Sequence, residues 1–351
     1  ILAELGRLLI GVVFIFSGFV KAVDPMGGAI KIGEYLASFG LDMLQPFTVL
    51  LSFNLSAIEF ALGVCMLLGV YRRYVSFLIL IFMAFMTPLT LYLALFDPVS
   101  DCGCFGDALV ISNWETFFKN IVLSLAAIVT FIYNQRLFQC FTFRAYWFVA
   151  LYAYLFGVGF AYYNYNHLPV IDFRPYKIGA NIPKLMEMPE EAPQDEYKYT
   201  FVYEKDGVKK EFSLEDYPAN DSSWTFVDSK TELVKKGYQP PVAAFNIYNG
   251  KGDDVTEEII GNPGPVLLLV APKLEEADDE QMDEINGVYD YALEHDIPFY
   301  CVTGSSPEAI DTWSDNTGAE YPFRMADEVL LKTIIRSNPC LLYTSPSPRD
   351  S

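Results

Sequence analysis

Histidine is nearly absent from this chain: His167 and His295 are the only two in 351 residues. Neither stands at ligand spacing from a cysteine, which argues against a zinc site, and so few histidines argue against a haem held between spans by a histidine pair. Basic residues are scarce as well, 24 Lys and Arg against 44 Asp and Glu, for a formal net charge of −20. That balance, carried mostly by the second half of the chain, disfavours nucleic acid and anionic surfaces as partners. No phosphate-binding glycine loop, zinc spacing or catalytic triad is visible.

What the chain has in abundance is apolar length. Up to about Tyr165 it is dominated by Leu, Ile, Val, Phe, Tyr and Gly, and beyond that by Asp, Glu, Lys and Pro. The shift marks two domains in different solvents. Five apolar runs, Leu5 to Val20, Pro46 to Val70, Tyr74 to Leu95, Phe117 to Tyr133 and Trp147 to Tyr165, are each long enough to be read as a membrane span. The short loops with Arg72, Arg73, Arg136 and Arg144 are basic, whereas Asp97 to Glu115 holds four acids and no base. The positive-inside rule therefore predicts a cytoplasmic N-terminus, with the acidic loop and everything after Tyr165 on the outer side; Lys21 and Lys31 are outvoted. No cleavable signal peptide is visible, so the first span is expected to act as an uncleaved anchor. The sequence starts at Ile1 and its last residues, 340–351, read as translated sequencing adapter, so both ends are expected to be incomplete.

The sharpest motif is Asp101-Cys102-Gly103-Cys104-Phe105-Gly106-Asp107, two thiols one residue apart just beyond a span. A turned C-G-C brings its Cα atoms within the roughly 4.4–6.8 Å that a disulfide needs. Such a small, exposed ring is expected to be labile and redox-active. The alternatives are an inert staple in the loop or half of a metal site. Cys65 is expected roughly 25 Å below the outer surface at 1.5 Å per residue, out of reach of Cys102. Cys140 falls on the reducing side. Glu59, the one carboxylate near the middle of a span, is a functional candidate because burying its charge is costly. Lys21, Arg7, Ser17 and Thr87 are its possible partners, and the competing reading is a protonated group packing helix on helix beside Gly63 and Gly69. Ile30 to Leu41 reads as an interfacial amphipathic segment with solvated Lys31 and Glu34.

Ser17-Gly18-x-x-Lys21 with Asp24-Pro25, Glu59-x-x-x-Gly63 with Gly69, and Cys102-Gly103-Cys104-Phe105-Gly106 together resemble the DoxX/DoxD-like membrane family, and within it the MauE-like branch, over roughly residues 5–135. The resemblance implies a four-helix bundle in the bacterial inner membrane. DoxD-like members are associated with electron transfer to quinone, and MauE-like members with maturation of a disulfide-rich periplasmic enzyme beside a thioredoxin-like partner. The fifth span departs from that pattern and would deliver a fused domain to the periplasm.

In the second half, Tyr197 to Leu214 reads as a hairpin turning at Asp206-Gly207, and Ala244 to Tyr248, Pro265 to Val270, Ile297 to Thr303 and a segment near Tyr321 read as strands. Helices are expected at Val255 to Ile260, Glu276 to Leu293, Pro307 to Ser314 and Asp327 to Ile335. Alternating strand and helix predicts a parallel sheet with covering helices. This order resembles a thioredoxin-like domain, with Pro339 at the family's cis-proline position. The turn after Val270 reads Ala271-Pro272-Lys273-Leu274-Glu275-Glu276 and has no thiol pair. Cys301 is expected in the core, and the acids from Glu275 to Glu280 are expected to open a helix.

The expected organisation is a transmembrane bundle (1–135), a fifth span (136–166), a linker with a β-hairpin (167–240), an incomplete α/β thioredoxin-like domain (241–339) and the adapter (340–351). The expected function is thiol–disulfide or quinone-linked electron transfer through Cys102 and Cys104, with Glu59 as a proton or ligand group and a periplasmic thiol partner or client. The rival is a non-enzymatic scaffold that binds a periplasmic client. A small-solute transporter is disfavoured, because five spans with one buried carboxylate give little pathway.

Overall fold

The first helix has glycine at 6, 11 and 18, and its partner has glycine at 63. Small residues at this spacing let two backbones meet in a bilayer, where no hydrophobic drive separates lipid from side chain. In the computed structural model α1 (Leu2–Val23) packs along α3 (Thr48–Leu68), with α2 (Pro25–Ser38) between them in sequence. The described residues are 1–97, 99, 102–177, 179–189, 196–205, 208–213, 225–235, 240, 242, 245–336 and 341–344, with backbone only in 196–235 and 341–344. A Cβ on Gly18 would collide with the backbone of Phe60 and Ser56, and one on Gly63 would meet Ile15 N at 2.5 Å.

The bundle is completed by α4 (Arg72–Phe96), α5 (Asn113–Ile132) and α6 (Tyr146–Asn166). Five of its helices are long and apolar enough to cross a membrane, as expected. Their outer faces expose Phe77, Ile81, Phe85, Leu125 and Tyr152, while Ile10, Phe14, Met66, Ile79 and Met83 fill the inside. The ends follow from local chemistry. Asp24 accepts from Gly27 N to cap α2, with Pro25 opening it; Gly69 closes α3 at φ +67°; Ser112 and Glu115 form a capping box on α5. Arg72 bonds the carbonyls of Gln135 and Leu137, and Glu4 accepts from Phe138 N, so the α1 start and both arginine loops share one end of the bundle.

The connector after α6 is pinned by charge. Arg174 forms a 2.6 Å ion pair with Asp172 and donates to Ile334 O at 2.9 Å. Gly179–Phe245 forms a separate unit, with α7 (Ile182–Met186) and an antiparallel sheet of β1 (Glu196–Lys205), β2 (Val208–Ser213) and β3 (Thr225–Lys235) in the order β2-β1-β3. The expected hairpin is therefore present, with an unforeseen third strand; its turn at 206–207 lies outside the described residues.

The remaining elements are α8 (Thr256–Ile260), β4 (Leu267–Ala271), α9 (Met282–Glu294), β5 (Phe299–Thr303), α10 (Pro307–Thr317), β6 (Phe323–Met325), α11 (Glu328–Ile335) and β7 (Leu341–Thr344). The sheet order is β6-β5-β4-β7, with β4, β5 and β6 parallel, which bears out the parallel sheet with covering helices. Leu267, Leu269, Phe299 and Cys301 pack under α9 and α10. Two expectations about these elements need correction. Ala244 to Tyr248 is not a strand in its described part, since Tyr248 makes only isolated bridges to Asp254 and Met325. The acids after Lys273 do not open a helix: Leu274–Glu276 is a 3-10 turn, and α9 starts only at Met282. Residues 341–344, set aside above as adapter, pair antiparallel with β4; a short apolar run will pair with any open sheet edge. Pro339 lies outside the described residues.

Two outcomes are expected. Gly18→Ala overpacks the α1–α3 contact and lowers stability by about 1–3 kcal/mol, whereas Gly159→Ala, which meets nothing within 4 Å, stays within about 0.5 kcal/mol; thermal unfolding in micelles measures both. Burial raises the Asp172 carboxyl, but the hydrogen bonds and charge of Arg174 outweigh it and hold the group below its ordinary value. A depressed acid stabilises the fold above its unfolded value, and that contribution is lost as pH falls through the folded one. Hydrogen exchange in residues 170–177 is expected to stay protected at neutral pH and to lose protection below about pH 3.9, and Asp172→Asn is expected to lose it at pH 7.

Candidate functional site

Ser17, Gly18 and Lys21 lie within one turn at the end of α1, and Ser56, Glu59 and Phe60 within one turn of α3. Where Gly18 lets the helices touch, their polar neighbours meet. Lys21 Nζ stands 2.7 and 2.9 Å from the two Glu59 oxygens, and Glu59 is 3% exposed. Ser17 Oγ is 2.7 Å from Glu59 Oε2 and 2.8 Å from the Cys104 carbonyl. Its single proton serves one of them at a time. Of the four partners considered for Glu59, the structure brings up Lys21 and Ser17. Arg7 instead pairs with Glu4 at 2.5 Å and bonds Leu67 O, and Thr87 bonds Ser124 at 2.7 Å.

Cys102 and Cys104 are joined as a disulfide, with Cα atoms 5.4 Å apart and Gly103 between them at φ +61°. The exposed ring expected from sequence is in fact buried: Cys102 is 7% and Cys104 8% exposed. The reason is α2. Tyr35 donates to Cys102 O at 2.6 Å, and Tyr35, Met86, Tyr92 and Leu93 pack around the pair. Lys31 lies against Gly103, where a Cβ would come within 3.2 Å of its Cγ, and pairs with Glu34 at 3.0 Å. The amphipathic segment is thus the lid of the disulfide.

Lys119, on the second turn of α5, escaped notice in the sequence; the available signal was a lone cation inside an apolar run. Its Nζ sits 4.2 Å from the centre of the Phe105 ring, a cation–π contact. Lys119, Lys21, Glu59, Ser17, Cys104 and Asn120 line one cavity of about 30 Å³. That volume holds about two waters. It does not admit a quinone ring, so a quinone would have to meet the protein elsewhere.

The rim of the site is tied to the α/β region. Arg336, which follows α11, stands 2.9 Å from Asp24 Oδ2 and 2.7 Å from Asp107 Oδ2. Asp24 caps α2 and Asp107 lies three residues beyond Cys104, so one guanidinium joins both flanks of the disulfide loop. The other described cysteines stay apart: Cys65 is free and buried in α3, Cys140 free and exposed, and Cys301 is 0% exposed in β5, beside a cavity of 230 Å³ under α9 and α10. The structure therefore agrees with Cys301 as a core residue.

Because removing one partner of a buried pair strands the other charge, Lys21→Met is expected to cost about 3–5 kcal/mol. Lys21→Met with Glu59→Gln removes both charges and is expected to recover most of that loss. Denaturant unfolding in micelles measures the two variants; equal losses would mean that the pair is not coupled.

Residues 197–236, within the separate β unit, match a family described as a domain of unknown function, DUF8463. Residues 1–133, which carry α1 to α5 and every group of the buried site, match the family described as methylamine utilisation protein MauE. No curated protein and no solved structure matches the chain. With five apolar helices around a site that falls wholly inside the matched residues, the chain is a multi-pass membrane protein whose bundle is MauE-like.

Proposed function

We propose that this protein performs thiol–disulfide exchange in the bacterial inner membrane, with Cys102 and Cys104 as the exchanging pair and the disulfide end of the bundle facing the periplasm. The observation that carries the reading is the polar cluster of Ser17, Glu59 and Lys21 that stands against the backbone carbonyl of Cys104. Opening a disulfide takes up two electrons, and each sulfur it frees has to be protonated or have its charge balanced. A staple in a loop needs no proton source, whereas an exchanging pair shut away from water does. Ser17, Glu59 and Lys21 line one cavity with Cys104, which puts a hydroxyl, an acid and an amine on the Cys104 side. In the forward direction a client dithiol is oxidised to its disulfide and this pair is opened and reduced by the same two electrons. Reoxidation then calls for an acceptor, for which a membrane quinone docking outside the 30 Å³ cavity is the proposed class. The basic arginine loops gathered at the opposite end of the bundle support the orientation. The α/β domain, read as thioredoxin-like without a thiol pair, would hold the client rather than react with it.

One observation favours a second reading, a scaffold for a periplasmic client. The α/β domain has no cysteine in its turn after β4, and Arg336 fastens it to the disulfide loop. A client platform needs no more than that.

The readings part on the thiols. Changing both Cys102 and Cys104 to Ser is expected to abolish function in cells, and the single Cys104→Ser variant is expected to trap a mixed disulfide on Cys102. Redox titration in membrane vesicles should give a potential well above about −300 mV, shifted by added quinone. A bridge that stays closed across a glutathione series, with full function in the double variant, would leave the scaffold.

A further inference from the structure

The buried site does not balance its charge. Lys21 and Lys119 face it against one acid, Glu59, which is already taken by Lys21 at 2.7 Å. Among the described residues no carboxylate lies within ion-pair distance of Lys119, and its close contact is the face of Phe105. Lys119 is partly buried, and its charge acts on whatever groups share the cavity with it. The cavity between these groups, about 30 Å³, has room for about two waters and for no organic ligand. Cys104 lines the cavity with Lys21, Glu59 and Lys119, while Cys102 does not, so negative charge arising at Cys104 would share the cavity with two cations.

We propose that Cys104 is the leaving thiolate of the exchange, balanced by Lys119 and Lys21, and that Cys102 is the sulfur that carries the mixed disulfide. This deepens the exchange reading and rests on it. A client thiolate attacks Cys102 Sγ, the Cys102–Cys104 bond breaks, and its electron pair passes to Cys104 Sγ, on the residue that shares the cavity with Lys21 and Lys119. A second client thiol gives up its proton and attacks the client sulfur. Cys102 departs with the electron pair of that bond, and the client leaves as a disulfide, oxidised by two electrons. The pair here is reduced by the same two, with one client proton taken up at Cys102 and the other released. Lys119 is a positioning residue in this scheme, acting through its charge.

The remaining groups around the pair do not replace it. On α2 Lys31 is engaged with Glu34 and lies at Gly103, and Tyr35 bonds the Cys102 carbonyl. On α4 Tyr92 packs against the pair. In the loop and at the end of α1, Asp107 and Asp24 face Arg336. The asymmetry between the two sulfurs is thus set on the Cys104 side by α1 and α5.

The test is the pH dependence of alkylation at each thiol in the chemically reduced full chain in micelles, resolved by mass spectrometry, with thiolate absorbance as a second readout. Cys104 is expected to titrate below the ordinary thiol value of about 8.5 and Cys102 above Cys104. Lys119→Met is expected to raise the Cys104 value by about one unit, slowing its alkylation at pH 7 about tenfold, and to leave Cys102 unmoved. Lys119→Arg keeps the charge and is expected to keep the wild-type profile, which separates charge from packing should Lys119→Met fold poorly. A wild-type Cys104 at or above about 8.5, or an equal shift of both thiols in Lys119→Met, overturns the proposal. Because the thiols are opened chemically, the outcome is independent of any client. Asymmetric thiols in a chain that works without them would sink the exchange reading alone, and exchange with an ordinary Cys104 would sink only this inference.

Discussion

The structure depends on an ion pair placed where charge is expensive. Lys21 and Glu59 meet deep in the bundle, and neither is tolerable there without the other. Their meeting is possible because Gly18 brings α1 onto the backbone of α3 at Ser56 and Phe60. Ser17 and Lys21 flank that glycine on one helix, as Ser56 and Phe60 flank Glu59 on the other. A side chain at position 18 would push the helices apart and pull the lysine from its acid. Packing and electrostatics are one constraint here.

The disulfide is built onto that constraint. Its Cys104 end hangs from Ser17, its Cys102 end from Tyr35, and Phe105 lies under Lys119. Helices α1 and α2, more than sixty residues before it, and α5, which follows it, hold the three-residue ring and the Phe105 beside it. The burial that results removes the pair from bulk water and leaves Lys21, Lys119 and Glu59 as the charged groups of the cavity on its Cys104 side. In such surroundings a charge is felt far more strongly than in solution. Arg336 then joins the α/β region to the disulfide loop at Asp107 and to the α1–α2 junction at Asp24.

Much of this was legible in the chain. Five apolar runs gave five spans because the length needed to cross hydrocarbon leaves few alternatives. The Cys-Gly-Cys spacing gave a local disulfide because only a neighbouring thiol was within reach. Alternating strand and helix patterns gave the parallel β4, β5 and β6, while Ala244 to Tyr248 misled because β-rich composition needs a neighbouring edge to become a strand. The acids from Glu275 to Glu280 misled for a related reason: they suit a helix start, but β4 is followed by a tight 3-10 turn that postpones the helix to Met282.

What the sequence determined by itself was therefore whatever depends on near neighbours: span lengths, caps, the small ring, and the suspicion that Glu59 needs a partner. Which partner it takes was decided only by the tertiary structure, since Lys21, Arg7, Ser17 and Thr87 are equivalent candidates until the helices are packed. The same holds for Lys119, an unremarked cation in an apolar run that acquires meaning when α5 turns it toward Phe105 and the Cys104 side of the pair. Burial of the disulfide under Tyr35 was likewise invisible, because solvent exposure is a property of what covers a loop and the covering helix lies more than sixty residues away. Charge balance in a membrane site is a sum over several helices, and no single stretch of sequence contains that sum.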